Sequence, residues 1–177
     1  MKPTFLKNPK TYNYKECKRF ILSNEFVWYR WGNTIEGGSE LQKGHDDYSF
    51  LSHKFLTRPL DSCLYSQVNS PHALNVSNIF KEICEHNNIK PQVIYRMNAN
   101  AVYPTEKNLP SPVHVDHEFP HKNLLIYLTD PQGGTTIVEG KEYLAKEDDV
   151  ILFDGKPHCI RPPRKDVRIV LVITFLL

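Results

Sequence analysis

His114-Val115-Asp116, with His158 downstream and Arg168 ten residues beyond it, is the set of side chains in this sequence best suited to chemistry. Two imidazoles and one carboxylate can occupy one face of a metal ion and leave its other positions open. That is the donor set of non-heme Fe(II) sites. If residues 113–117 form a strand, His114 and Asp116 project from the same face, because side chains alternate along an extended chain. The third ligand, His158, then arrives from another strand of the same barrel. Arg168 opens a strongly apolar run that ends at Leu176, and a charge buried there needs an anion beside it. Either an acidic residue of the chain supplies that anion, or Arg168 clamps the carboxylate of a ligand.

A bare His-x-Asp recurs by chance in many proteins, so the elements around it carry the weight. Phe153-Asp154-Gly155-Lys156-Pro157-His158 reads as a strand, a turn and then the ligand. Gly133-Gly134-Thr135-Thr136 falls between the ligand segments, where a hairpin must turn. From 92 onward the pattern is strand-like throughout, with stretches at 93–103, 123–129, 135–138, 149–153, 157–160 and 167–176 separated by turn residues. Upstream, helices are expected around 14–22 and 74–85. Leu74, Val76, Ile79, Phe80, Ile83 and Cys84 approximate one face of the second. Strands are expected at 26–31 and 48–56, around a glycine- and charge-rich loop at 32–47. The fold class is therefore mainly β with flanking helices, built on a jelly-roll core. One domain over 1–177 is expected, with 1–90 as support and 91–177 as the barrel carrying the metal site.

Bulk properties narrow the function classes. A formal charge of +2 and a charged fraction of 24% demand neither nucleic acid nor an acidic membrane surface. The N-terminal residues hold no apolar run long enough for a signal peptide, and no stretch approaches a membrane span. A soluble, cytoplasmic protein is the expectation. The four cysteines, Cys17, Cys63, Cys84 and Cys159, are scattered with no C-x-x-C pair, which points to reduced thiols. Cys159 follows His158 directly and should face away from the metal.

From Val93 to Phe175 the sequence resembles the Fe(II)/2-oxoglutarate-dependent dioxygenases, and within them the prolyl-hydroxylase-like branch. The matching elements, in order, are Ala101-Val102-Tyr103-Pro104, His114-Val115-Asp116, Leu125-Ile126-Tyr127-Leu128 with Gly133-Gly134, Val150-Ile151-Leu152-Phe153, Pro157-His158 and Arg168. The resemblance implies a double-stranded β-helix of cupin-like type. It implies that His114, Asp116 and His158 bind Fe(II) and that Arg168 holds the distal carboxylate of 2-oxoglutarate. O2 is then the other cosubstrate, and the products are succinate, CO2 and a hydroxylated C–H position, with a peptidyl prolyl residue as the expected substrate.

Tyr103 matches a tyrosine that assists the same carboxylate, although a core tyrosine ending a strand reads equally well. Tyr127 is the runner-up, and it points out of the barrel if Leu124, Ile126 and Leu128 point in. Asn98 and Asn100 share a strand face with Arg96, as cosubstrate contacts or as solvated residues. His117 and His121 read as rim residues, Glu118 as a solvated loop carboxylate, and Arg161 to Lys165 as a solvated hairpin loop. Trp28, Tyr29, Trp31 and Tyr48 read as a substrate wall or as core.

Two other functions compete. A nucleic-acid demethylase of the alkylation-repair type would use the same cofactors, but its pattern has a second arginine six residues after the first, and position 174 is Thr. A cupin-type metal-binding module would share the His-rich strands but has no need of Arg168.

Overall fold

The computed structural model describes residues 2–31, 50–59 and 65–177. Among these residues, eleven strands and two helices follow in the order β1 (Thr4–Leu6), α1 (Tyr12–Ile21), β2 (Tyr29–Trp31), β3 (Phe50–Thr57), β4 (Gln67–Val68), α2 (Ala73–His86), β5 (Val93–Val102), β6 (Lys122–Tyr127), β7 (Thr135–Val138), β8 (Lys141–Tyr143), β9 (Val150–Asp154), β10 (His158–Arg161) and β11 (Arg168–Leu176). An antiparallel sheet runs β1-β9-β6-β11-β5-β3-β2, with β4 paired to β3; a small sheet runs β10-β7-β8. From β6 to β11 the chain passes repeatedly between the two, which is the winding of a double-stranded β-helix.

The large sheet is buried on both faces, and this decides which side chains reach the interior. Leu124, Ile126, Ile169, Leu171, Ile173 and Phe175 lie on the face covered by the helices. Leu125, Tyr127 and Val170 lie on the opposite face, with Val138, Ile151 and Phe153, between the two sheets. The inward-pointing set is thus the reverse of the expected one. Apolar residues alternate with apolar residues here, so hydrophobicity does not mark the barrel side.

The helices follow from their sequences. Thr11 caps α1 by accepting a hydrogen bond from the Tyr14 backbone N–H, and Tyr14, Cys17 and Ile21 form its buried stripe. On α2 the stripe is Ala73, Val76, Ile79, Phe80, Ile83 and Cys84, while Leu74 is exposed. Phe80 meets Phe175 of β11 edge to face, with ring centroids 4.9 Å apart. No helix among the described residues is long and apolar enough to cross a membrane.

Three expected elements differ. The strand at 26–31 is confined to β2, and Phe26 before it is core, packed on Trp28, His53 and Phe55. Residues 113–117 form no strand; His114 makes a single bridge to His158. The Gly133-Gly134 turn joins β6 to β7 across the two sheets rather than closing a hairpin. Gly133 adopts φ +83°, and a Cβ on Gly134 would stand 3.0 Å from the Pro131 carbonyl oxygen and the Pro163 nitrogen, so the crossing is tight at both positions. The strands β1, β4 and β8 carry no strong sequence pattern and extend the expected set. The loop expected at 32–47, Tyr48 and Cys63 lie outside the described residues.

Phe80→Ala should lower the unfolding free energy by about 3–5 kcal/mol, as a fully buried aromatic removed from a helix–sheet contact does. Chemical denaturation followed by circular dichroism measures it, and a loss below about 1 kcal/mol would mean that α2 does not dock on β11 as described.

Candidate metal centre and its cavity

His114 and His158 exchange backbone hydrogen bonds: each N–H donates to the other's carbonyl oxygen at 2.9 Å. This reciprocal pair brings the segment before Asp116 alongside β10. Ser111 continues the pairing, its N–H donating to the Ile160 carbonyl at 2.8 Å and its Oγ accepting from the Ile160 N–H at 3.1 Å. The two imidazoles therefore sit side by side, ring centroids 4.6 Å apart. The chain bends after Val115 and turns the Asp116 carboxylate under them. One ligand atom from each of His114, Asp116 and His158 lies within 4.8 Å of the other two.

Ring orientation is set by the backbone. His158 Nδ1 lies 2.8 Å from the Lys156 carbonyl oxygen, and His114 Nδ1 lies 3.2 Å from that of Pro112. A carbonyl only accepts, so both Nδ1 atoms carry the proton and both Nε2 atoms are presented as ligands. Asp116 Oδ1 accepts a 2.6 Å hydrogen bond from Arg96 on β5. Its Oδ2 is buried without a hydrogen bond and stands 3.3 Å from His158 Nε2.

Burial works against the Asp116 carboxylate, yet the His158 ring and the Arg96 guanidinium outweigh it and hold the group well below the ordinary carboxylate pKa. Burial likewise opposes charge on His158, and Asp116 outweighs it, leaving that imidazole above its usual pKa. His114 lies below, first through burial and then through the neighbouring His158. Two outward Nε2 atoms and one oriented carboxylate oxygen fit a divalent ion of the non-heme Fe(II) type.

These residues line one side of a cavity of about 170 Å³ between the sheets. Arg168 lies in the same cavity, 3% exposed. Its Nη2 donates to Thr136 Oγ1 at 3.0 Å and reaches Tyr127 Oη at 3.4 Å, and its Nε is buried with no partner. The guanidinium carbon stands 5.1 Å from the Tyr127 ring centroid. Among the described residues no carboxylate pairs with it, so the salt-bridge reading of Arg168 has no partner there. A buried guanidinium whose neighbours are two hydroxyls has the donor chemistry to pair with a carboxylate.

Tyr103 is placed elsewhere: it is half exposed after β5 and does not line the cavity. Tyr127 is fully buried beside Arg168. The correction follows from the inverted faces of β6 described above. Asn98 is 1% exposed, which removes its solvated reading, and Asn100 lines the cavity. His117 and His121 are core rather than rim. His117 Nε2 bonds Thr174 Oγ1 at 2.7 Å, and both rings pack with Phe119. Thr174 is itself buried, so position 174 supplies no cation.

Glu118, Arg164 and Lys165 are exposed, whereas Arg161 belongs to β10 and pairs with Glu142 at 2.6 Å. Cys159 is buried away from the cavity, and Trp28, Tyr29 and Trp31 do not line it. Sequence reasoning missed Thr136 and Arg58. It placed Arg96 only on a face. Arg96, Asn98 and Asn100, a polar row at every second position of an otherwise core strand, is the signal that could have found the cavity wall.

No family model matches the sequence, and no curated protein does either. Solved structures match in fold. An oxidoreductase of the 2OG-Fe(II) oxygenase family from Burkholderia pseudomallei superposes with a TM-score of 0.70 at 15% identity, over 98% of this chain and 84% of that one. The chain has the fold of that oxygenase. The α-ketoglutarate-dependent epimerase SnoN from nogalamycin biosynthesis gives 0.55 at 12% identity, over 98% and 77%. AviO1 from Streptomyces viridochromogenes gives 0.52 at 14%, over 93% and 81%. In this oxygenase fold the triad and Arg168 open into one cavity.

Arg96→Met should weaken divalent-metal binding by roughly 10–100-fold, since Arg96 orients the Asp116 carboxylate. Anaerobic Fe(II) or Mn(II) titration measures this, and unchanged affinity would exclude Arg96 from the site. In the unsubstituted protein, proton and metal compete for His158 Nε2. Affinity should therefore rise as pH climbs through the elevated His158 pKa.

Proposed function

We propose that the chain is an Fe(II)- and 2-oxoglutarate-dependent dioxygenase that hydroxylates a C–H bond, with release of succinate and CO2. The observation that carries this reading is Arg168: a buried guanidinium with no carboxylate partner among the described residues, in the same cavity as a two-histidine, one-carboxylate triad. A module that bound only a metal would leave that buried charge unexplained.

Each residue has a role in this reading. His114, Asp116 and His158 hold the metal, and the Pro112 and Lys156 carbonyls keep both imidazoles in the ligating tautomer. Arg96 fixes the carboxylate. Arg168, with Thr136 and Tyr127, takes the distal carboxylate of 2-oxoglutarate. Bound Fe(II) with 2-oxoglutarate supplies O2 activation and the oxidising power for hydroxylation. The walls Leu125, Val170 and Val172 keep the cavity dry beside that chemistry. A peptidyl residue, with proline the first to test, is the primary substrate in this reading. The nucleic-acid alternative ranks lower, because position 174, where that pattern has a second arginine, is a Thr bonded to His117.

Anaerobic addition of 2-oxoglutarate to the Fe(II) protein should produce the weak visible charge-transfer band of the chelate. Arg168→Gln should weaken 2-oxoglutarate binding by about 10–100-fold, the loss of a charge-assisted pair, while metal binding persists. Arg168→Lys should recover part of it. Iron in place with no band would refute the assignment.

A further inference from the structure

Counted over the described residues, the cavity carries more positive charge than a metal and 2-oxoglutarate account for. Among its lining residues three guanidiniums, Arg58, Arg96 and Arg168, face one carboxylate, Asp116, an excess of two positive charges. A divalent cation and a dianion loaded together leave that excess unchanged. Two of the arginines are already assigned, Arg96 to Asp116 and Arg168 to the carboxylate pocket. Arg58 is not.

Arg58 follows β3 directly and is half-buried at the side of the cavity formed by Asp116. Its Nη1 donates to the Asp116 main-chain oxygen at 3.1 Å, and among the described residues no acidic side chain pairs with it. That bond anchors the guanidinium beside the metal centre and uses one of its five N–H donors. The Asp116 side chain is already held by Arg96 and faces His158, so Arg58 is not its neutralising partner. Phe50 and Val115 line the same cavity and give it an apolar side.

Resting on the oxygenase reading, we propose that Arg58 is a specificity-determining residue that binds an oxyanion, carboxylate or phosphate, on the primary substrate. The substrate then carries a negative group close to the C–H bond presented to the metal, with an apolar portion against Phe50 and Val115. A guanidinium fork suits either oxyanion, since both accept two parallel hydrogen bonds. Its anchor on the backbone of a metal ligand ties substrate position to metal position.

The test uses the Fe(II)-loaded full chain with 2-oxoglutarate under anaerobic conditions and matched probes that differ only in charge. N-acetylproline is paired with N-acetylprolinamide, and N-acetylphosphoserine amide with N-acetylserine amide. Isothermal titration calorimetry reads probe binding, and the visible chelate band independently reads 2-oxoglutarate. One charged probe should bind at least about tenfold tighter than its neutral partner, as a charge-assisted contact implies. Which pair discriminates identifies the oxyanion. Arg58→Gln should abolish the difference with the chelate band and iron affinity intact, and Arg58→Lys should keep part of it.

The proposal is overturned if neutral probes bind as tightly as charged ones, if no charged probe binds, or if Arg58→Gln keeps the discrimination. It is also overturned if Arg58→Gln weakens 2-oxoglutarate instead, which would place Arg58 in the cosubstrate pocket. A missing chelate band in the unsubstituted protein would refute the oxygenase reading. The probe titrations, repeated without 2-oxoglutarate, would still decide the anion subsite.

Discussion

The reciprocal backbone pairing of His114 with His158 is the contact on which the site's geometry depends. It is a single antiparallel bridge, not part of a ladder, yet it brings together residues 44 positions apart in sequence. With it, both imidazoles stand side by side, each ring turned by a carbonyl two residues before it. An irregular segment rather than a strand carries His114 and Asp116, so Asp116 can bend under the rings. On a regular strand it would stand about 7 Å along from His114, two residues at the strand rise.

Burial of the large sheet on both faces is the second constraint. The α1 and α2 helices cover one face through Tyr14, Ile21, Ile79, Phe80 and Ile83. That leaves the opposite face of β5, β6 and β11 to form the cavity floor. Its side chains are a compromise between packing and chemistry: Leu125, Val170 and Val172 are apolar, while Arg96, Asn100 and Arg168 are polar or charged. A polar row inside a barrel is costly unless its members bond one another. Asn98 donates to Asn100 at 2.6 Å and Ser52 to the same oxygen at 2.8 Å, which offsets part of that cost.

The triad of His114, Asp116 and His158 and the burial of Arg168 were legible because their spacing and chemistry are local facts: a His-x-Asp pair, a strand-turn-His, a cation opening an apolar strand. The positions of β7 and β11 were legible through β-branched runs bounded by turn residues, and that of β5 through an extended stretch closed by Tyr103-Pro104. Which tyrosine meets Arg168 was not legible. That choice turns on which face of β6 looks inward, and Leu124, Leu125, Ile126 and Leu128 are apolar on both faces, so only the tertiary placement of the helices decides it. His117 and His121 misled for a related reason. Polar residues beside a ligand segment suggest a rim, but Phe119 folds back over them and Thr174 satisfies His117 from the sheet.

The three arginines of the cavity differ in how each is held. Arg168 is fully enclosed and, among the described residues, its side chain bonds to hydroxyls alone, which in the proposed reading leaves its charge for a ligand deep in the barrel. Arg96 is spent within the protein, locking the Asp116 carboxylate and lowering its proton affinity. Arg58 is fixed by one bond to a main-chain oxygen, which orients the guanidinium without cancelling its charge. A carbonyl oxygen anchors a cation but neutralises nothing, whereas a carboxylate does both. In the proposed oxygenase the same side-chain type would therefore serve as clamp, strut and recognition group within one cavity, and the acceptor beside each arginine would determine which.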